Sequence, residues 1–96
     1  ADILAFRRAR EKHDLFPLVI HDSYLINLAA AEGEIRAKSV EAFRGELERA
    51  LAIGAEYLVA HPGNYRGLSL EQGVLYVLES IQAAAAGLDT TGLTLL

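Results

Sequence analysis

Two histidines of this sequence stand where an imidazole could bind a metal ion. His21 follows the apolar run 16–20, "FPLVI", and His61 follows the run 56–60, "EYLVA". Both runs are rich in residues that favour β-strands, so each histidine is predicted to lie at the carboxyl end of a strand. Neutral imidazole is a ligand suited to zinc and similar metals. The two histidines are therefore the first candidates for a functional site.

Whether they can act together depends on the element between the two strands. Ser39 is predicted to be the N-cap of a helix with apolar residues at i, i+3, i+4 and i+7, and Gly54 is predicted to end that helix. A strand, a helix and a second strand form a parallel unit, in which the carboxyl ends of both strands lie at one edge of the sheet. Because neighbouring strands are about 4.8 Å apart, two side chains leaning toward each other could share one ion.

The remaining elements extend the same pattern. Residues 1–13 are predicted to be helical, Ser69 and Gln72 form an S-x-x-Q capping box for a helix over 70–86, and 93–96, "LTLL", begins a third strand. The strands are nearly continuous apolar runs, which is typical of strands buried on both faces of a parallel sheet. We predict one α/β domain over residues 1–96, with a parallel βαβαβ core preceded by a helix.

Composition excludes several classes of protein. Apolar residues are 52% of the chain and charged residues 23%, as in a globular α/β protein. No run approaches the roughly 18 consecutive apolar residues of a membrane span, and the absence of cysteine leaves neither disulfides nor thiolate metal sites and favours a cytoplasmic location. The net charge of −4 argues against a general nucleic-acid-binding surface.

The histidines also have an ordinary interpretation. A histidine that ends a strand is often a loop residue bonded to backbone or water, and two imidazoles do not complete a zinc sphere, which takes about four ligands. The residue types and their spacing leave both interpretations open.

The sequence resembles the endonuclease IV family, which are metal-dependent DNA-repair enzymes with a (βα)₈ TIM barrel related in fold to xylose isomerases. The resemblance extends from about Pro17 to Leu96, and it is carried by "HDSYLINL" (21–28), the spaced residues of 36–50, "GAEYLVAHPG" (54–63) and "GLTLL" (92–96). It implies that the chain covers about strands 2 to 4 of the barrel.

The resemblance implies roles for individual residues. His21 and His61 would be ligands of one zinc in a cluster of three, which cleaves the phosphodiester on the 5′ side of an abasic site. Tyr24 and Leu25 would belong to a loop that enters the DNA at that site. An ordinary role for such residues is to pin a loop to its own barrel, and Asn27 is predicted to bond neighbouring backbone.

The chain departs from the family in its extent. The ligands that the family takes from later strands have no counterpart in these 96 residues, and the chain opens without Met. We therefore expect a fragment that is inactive in isolation. A three-stranded piece of a barrel has two open edges, so we also expect a homo-oligomer.

Three alternatives remain. The chain could be an active enzyme if several copies together rebuild a barrel mouth with enough metal ligands. The chain could be a non-catalytic, self-associating α/β segment that binds neither metal nor DNA. It could also be a piece of a sugar-isomerase-like barrel, since that superfamily shares the fold and binds metals at the same edge.

Overall fold

The fold follows the predicted order of elements. The computed structural model describes residues 3–13, 17–21 and 26–96. Three helices alternate with three strands: α1 (Ile3–Lys12), β1 (Val19–His21), α2 (Gly33–Ile53), β2 (Tyr57–Val59), α3 (Leu70–Ala85) and β3 (Thr94–Leu95). None of these helices is both long enough and apolar enough to cross a bilayer.

The strands form one parallel sheet in the order β1-β2-β3. Ile20 lies opposite Leu58 in the first pair of strands, and Leu58 lies opposite Leu95 in the second. The predicted parallel βαβαβ arrangement is therefore confirmed. Strand β2 is central, while β1 and β3 each have one neighbouring strand among the described residues.

The core lies between the sheet and helices α2 and α3. Its three largest fully buried side chains are Leu28, Phe43 of α2 and Leu58 of β2. Phe43 belongs to the apolar stripe predicted for α2 and confirmed by the burial of Leu47 and Ala50 on the same side. The prediction that the strands are buried on both faces is wrong for β1, because Val19 is 43% exposed at the edge of the sheet.

The start of α2 differs from the prediction. The helix begins at Gly33 after Glu32, whose side chain makes no capping hydrogen bond, and Ser39 lies inside the helix and is buried. The Ser39 hydroxyl accepts a hydrogen bond from the backbone N–H of Asn27, at 2.9 Å. A serine that could cap a helix instead satisfies a donor of another segment, and this tertiary contact overrides its local preference.

The other helix ends follow their local signals. Ser69 and Gln72 form the predicted capping box at the start of α3, with side chain and backbone bonded in both directions. Gly54 adopts the left-handed conformation, with φ of 73°, and ends α2 as predicted. Helix α3 ends at Ala85, and the Arg44 guanidinium donates to the carbonyl oxygens of Ala84 and Ala86 at 3.1 and 2.6 Å.

Helix α1 is attached through arginines rather than through an apolar side. It contains no buried residue. Arg7 donates to the carbonyl oxygen of Ala52 at 3.2 Å, and Arg10 donates to that of Gly54 at 2.6 Å. These carbonyls belong to the C-terminal end of α2, where the helix dipole favours a cation.

Glu56 joins this attachment to the sheet. Its carboxylate accepts from the backbone N–H of Leu18 at 2.8 Å and pairs with Arg10. The Leu18 hydrogen bond, and after it the Arg10 guanidinium, lower the pKa of Glu56 below its ordinary value of 4.5. Since the folded pKa is the lower one, the carboxylate stabilises the fold above pH 4.5, and this contribution is lost as the pH falls through the folded pKa.

Candidate metal centre

His21 is the last residue of β1. It lies opposite Val59, the last residue of β2, and its side chain is exposed. The strand therefore extends one residue beyond the predicted apolar run and includes the histidine. This position places the imidazole at the carboxyl edge of the sheet, where ligands bind in parallel α/β proteins.

His61 lies two residues beyond the end of β2 and is also exposed. Because β1 and β2 are adjacent and parallel, both histidines lie at the same edge, as predicted. They are not directly opposite each other, since the partner of His21 is Val59. His61 lies two residues beyond Val59, so its backbone is offset from that of His21 by about 7 Å along the strand direction.

The donor set fits part of a metal site. Imidazole nitrogens suit zinc and other transition metals, and zinc takes about four ligands. Within residues 3–13, 17–21 and 26–96, no group of three or more His, Cys, Asp and Glu side chains is placed to hold an ion. The described part of the chain therefore offers a histidine pair and not a complete coordination sphere.

The loop predicted to enter DNA lies outside the described residues. Tyr24 and Leu25 both fall within the undescribed range 22–25. Their assignment to DNA binding stays a prediction.

Residues 26–31, which lead into α2, are hydrogen-bonded to side chains of both α2 and α3. The Ser80 hydroxyl of α3 donates to the carbonyl oxygen of Leu28 at 3.0 Å, in a buried position. Arg36 of α2 donates to the carbonyl oxygen of Ala30 at 2.7 Å and stacks over the ring of Tyr76, 3.9 Å from its centroid. Four residues of this segment are buried: Ile26, Leu28, Ala29 and Ala30. The segment is therefore part of the core rather than a surface loop.

The same segment binds the turn that contains His61. We call residues 61–64, "HPGN", the HPG loop. The backbone N–H of Ala29 donates to the carbonyl oxygen of Pro62 at 3.2 Å, and the backbone N–H of Asn64 donates to Oδ1 of Asn27 at 3.1 Å. The HPG loop is thus bonded to residues 26–31 on both sides of Gly63.

Gly63 allows this contact. Its φ is 94°, which L side chains rarely adopt, and its Cα faces Asn27 directly. A Cβ at this position would lie 2.8 Å from the Asn27 Cα and would overlap the Asn27 carboxamide. Only glycine fits here, for reasons of both backbone conformation and space.

The sequence predicts only some of the hydrogen bonds at this edge. Asn27 was predicted to bond neighbouring backbone, and its Oδ1 does accept from the N–H of Ala29 at 3.2 Å. Its second partner, Asn64, is distant in the sequence and was missed, as were the roles of Ser39 and Ser80. The one available signal was the glycine that follows His-Pro, because glycine often marks a close approach of two backbones.

Most basic side chains make hydrogen bonds or ion pairs within the chain. Six of the nine Lys and Arg residues contact backbone carbonyls or carboxylates of this chain: Arg7, Arg10, Arg36, Lys38, Arg44 and Arg49. Arg66 is exposed just beyond the HPG loop. The positive charge available near the candidate site is therefore small.

Comparison with known proteins agrees with this architecture. The crystal structure of an endonuclease IV from Thermus thermophilus superposes with a TM-score of 0.79 at 39% identity, covering 98% of this chain and 33% of that one. The probable endonuclease 4 of Solibacter usitatus is 57% identical over 88 residues, covering 92% of this chain and 30% of the relative. Endonuclease 4 from a second strain of Thermus thermophilus is 46% identical over 78 residues, covering 81% and 28%.

The chain spans about a third of the length of the relatives that it matches. These relatives are named as endonucleases. The family described as "Xylose isomerase-like TIM barrel" matches the sequence over residues 1–96. The predicted resemblance to endonuclease IV is therefore confirmed, and this chain belongs to the xylose isomerase-like TIM barrel family.

Proposed function

We propose that this chain carries part of the catalytic edge of a zinc-dependent DNA-repair endonuclease that cleaves the phosphodiester 5′ to abasic sites. His21 and His61 are the zinc ligands that it supplies. The observation that carries the proposal is the placement of both imidazoles, exposed, at the carboxyl edge of two adjacent parallel strands. The relatives are named as endonucleases, and the resemblance to endonuclease IV implies that the substrate is DNA.

Each residue has a distinct task in this proposal. Zinc, when bound, supplies an activated water and neutralises charge that develops on the phosphate. The two histidines hold it through neutral imidazole nitrogens, so both must be deprotonated to bind. Tyr24 and Leu25 contact the DNA next to the abasic sugar, where an aromatic and an aliphatic side chain can fill the space left by the missing base.

The chain on its own is proposed to be inactive. Two imidazoles leave about two zinc positions to be filled by other ligands, and the described residues place no third protein ligand beside them. The net charge of −4 and the internal contacts of most basic residues also leave few groups to bind phosphates. An abasic duplex incubated with the chain and zinc is expected to stay uncut.

Zinc binding tests the proposal directly. Metal content and titration calorimetry with Zn²⁺ are expected to show about one zinc per chain or per dimer. His21→Ala and His61→Ala are each expected to abolish measurable binding, because a single imidazole is a weak site. The matched control is His13→Ala, since His13 directly follows α1 and precedes β1, whereas His21 and His61 follow or end strands. This variant is expected to bind zinc like the unmodified chain.

Two results would contradict the proposal. One is the absence of zinc binding by the unmodified chain. The other is equal loss of zinc in all three histidine variants, which would mean nonspecific binding to exposed imidazoles.

We propose further that the chain associates with copies of itself, which is also the central feature of the non-catalytic alternative. Strands β1 and β3 are open edges of the described sheet, and open edges pair readily with other chains. Helix α3 exposes four large apolar side chains, each more than half exposed: Leu70, Val74, Leu75 and Leu78. In a solution of this chain alone, another copy is the only protein that can cover them.

Light scattering on the zinc-binding samples measures this association. A mass of two or more chains supports it, and a monodisperse monomer would contradict it. An oligomer that binds no zinc would favour the non-catalytic alternative over the endonuclease proposal.

A further inference from the structure

We propose that Asn27 is a positioning residue for His61, because its carboxamide oxygen holds the HPG loop in the conformation that presents the imidazole to the metal. This inference rests on the proposed function, in which His61 is a zinc ligand. It concerns a residue other than the two proposed ligands. Its effect on the site passes through two backbone hydrogen bonds.

Asn27 is itself anchored in the core. Its backbone N–H donates to the Ser39 hydroxyl of α2 at 2.9 Å. Its two neighbours, Ile26 and Leu28, are 4% and 0% exposed. The backbone of Asn27 is therefore fixed by packing and by a bond to a helix that cannot move without disrupting the core.

The side chain of Asn27 connects the HPG loop to this fixed backbone. Its Oδ1 accepts from the backbone N–H of Ala29 at 3.2 Å and from that of Asn64 at 3.1 Å. One acceptor thus joins residues 26–31 to the loop after β2. The hydrogen bond from Ala29 to the carbonyl oxygen of Pro62 adds a second connection on the other side of Gly63.

These contacts restrict His61 from its C-terminal side. Strand β2 and the hydrogen bond from the backbone N–H of Ala60 to the carbonyl oxygen of Leu96, at 3.0 Å, restrict it from the N-terminal side. Pro62 narrows the backbone conformations of His61 further, since the residue before proline is confined to the extended region. An exposed ligand on a fixed backbone loses less conformational freedom when it binds an ion, so its affinity is higher.

Hydrogen exchange tests the positioning without any metal. The Asn64 amide is the reporter, because its one hydrogen bond in the described structure is to Asn27 Oδ1. In Asn27→Ala this amide is expected to exchange about tenfold faster than in the unmodified chain. In Asn27→Asp, which keeps an acceptor oxygen at the same place, its exchange rate is expected to stay near that of the unmodified chain.

Zinc titration tests the consequence for the site. Asn27→Ala is expected to weaken Zn²⁺ binding about 10- to 100-fold, the range typical of residues that orient a metal ligand. Asn27→Asp is expected to bind zinc at least as tightly as the unmodified chain. The matched control is Ser80→Ala, which removes a different anchor of residues 26–31, the bond to the Leu28 carbonyl. This variant is expected to lower the denaturation midpoint and to leave zinc affinity unchanged.

The outcomes separate this inference from the proposed function. If the unmodified chain binds no zinc, the proposed function fails, and the exchange of the Asn64 amide still decides whether Asn27 holds the loop. If the unmodified chain binds zinc and Asn27→Ala binds it equally well, the positioning role is overturned. It is also overturned if Ser80→Ala weakens zinc binding as much as Asn27→Ala, because the effect would then follow general stability.

Discussion

Replacing Phe43 with alanine is expected to destabilise the fold by about 3–5 kcal/mol, the usual cost of removing a buried phenylalanine. Phe43 is 0% exposed and contacts the core cluster that includes Leu28 and Leu58. A domain of this size has about 5–15 kcal/mol of stability in total, so the variant is expected to be largely unfolded or close to it. Urea denaturation followed by circular dichroism measures the change in the free energy of unfolding.

The matched control for this variant is Phe6→Ala. Phe6 lies on α1 and is 43% exposed, so the same chemical change removes less buried surface than it does at Phe43. Its cost is expected to stay within about 1 kcal/mol. Equal destabilisation by the two variants would contradict the placement of Phe43 in the core and of Phe6 outside it.

Replacing Gly63 with alanine is expected to cost about 2–5 kcal/mol, through backbone strain and overpacking together. The φ of 94° is unfavourable for alanine, and the new Cβ would lie 2.8 Å from the Asn27 Cα. A backbone atom cannot move aside as the end of a flexible side chain can. Relief requires the HPG loop to separate from residues 26–31, and this change is visible in the amide chemical shifts of Ala29 and Asn64.

Gly67→Ala is the control that separates the two contributions. Gly67 has a similar φ of 83°, and a Cβ there would have no neighbour within 4 Å. This variant is expected to cost about 1–2 kcal/mol, from backbone strain alone. If the two glycine variants destabilise the chain equally, the close approach of Gly63 to Asn27 is not significant for stability.

The helix ends that depend on contacts between neighbouring residues could be predicted from the sequence. The capping box of Ser69 and Gln72 and the left-handed Gly54 are both as predicted. Each of these contacts closes within one turn of helix, so neighbouring residues in the sequence contain all the information that is needed. The placement of His21 and His61 at one edge was also predictable, because a parallel βαβ unit brings successive strands side by side.

Contacts between distant segments were not predictable in this way. The local sequence predicts Ser39 at a helix start, because hydroxyls favour that position. Its partner is instead Asn27, which belongs to the segment before the helix. The stagger between the two histidines depends on strand register, and the spacing of residues in the sequence does not fix that register. In the first case the missing information is which backbone N–H lies beside the Ser39 hydroxyl, and in the second it is which residue of β2 lies opposite His21. Only the folded structure supplies either.

The attachment of α1 has a consequence for how the chain opens. The helix buries none of its residues and is held by guanidinium groups on the last carbonyls of α2 and on Glu56. Its detachment would expose little apolar surface, so it costs far less free energy than melting of the sheet and the other two helices. We therefore expect helix α1 to open as a separate unit, with residues 3–12 released under milder conditions than those that unfold the core.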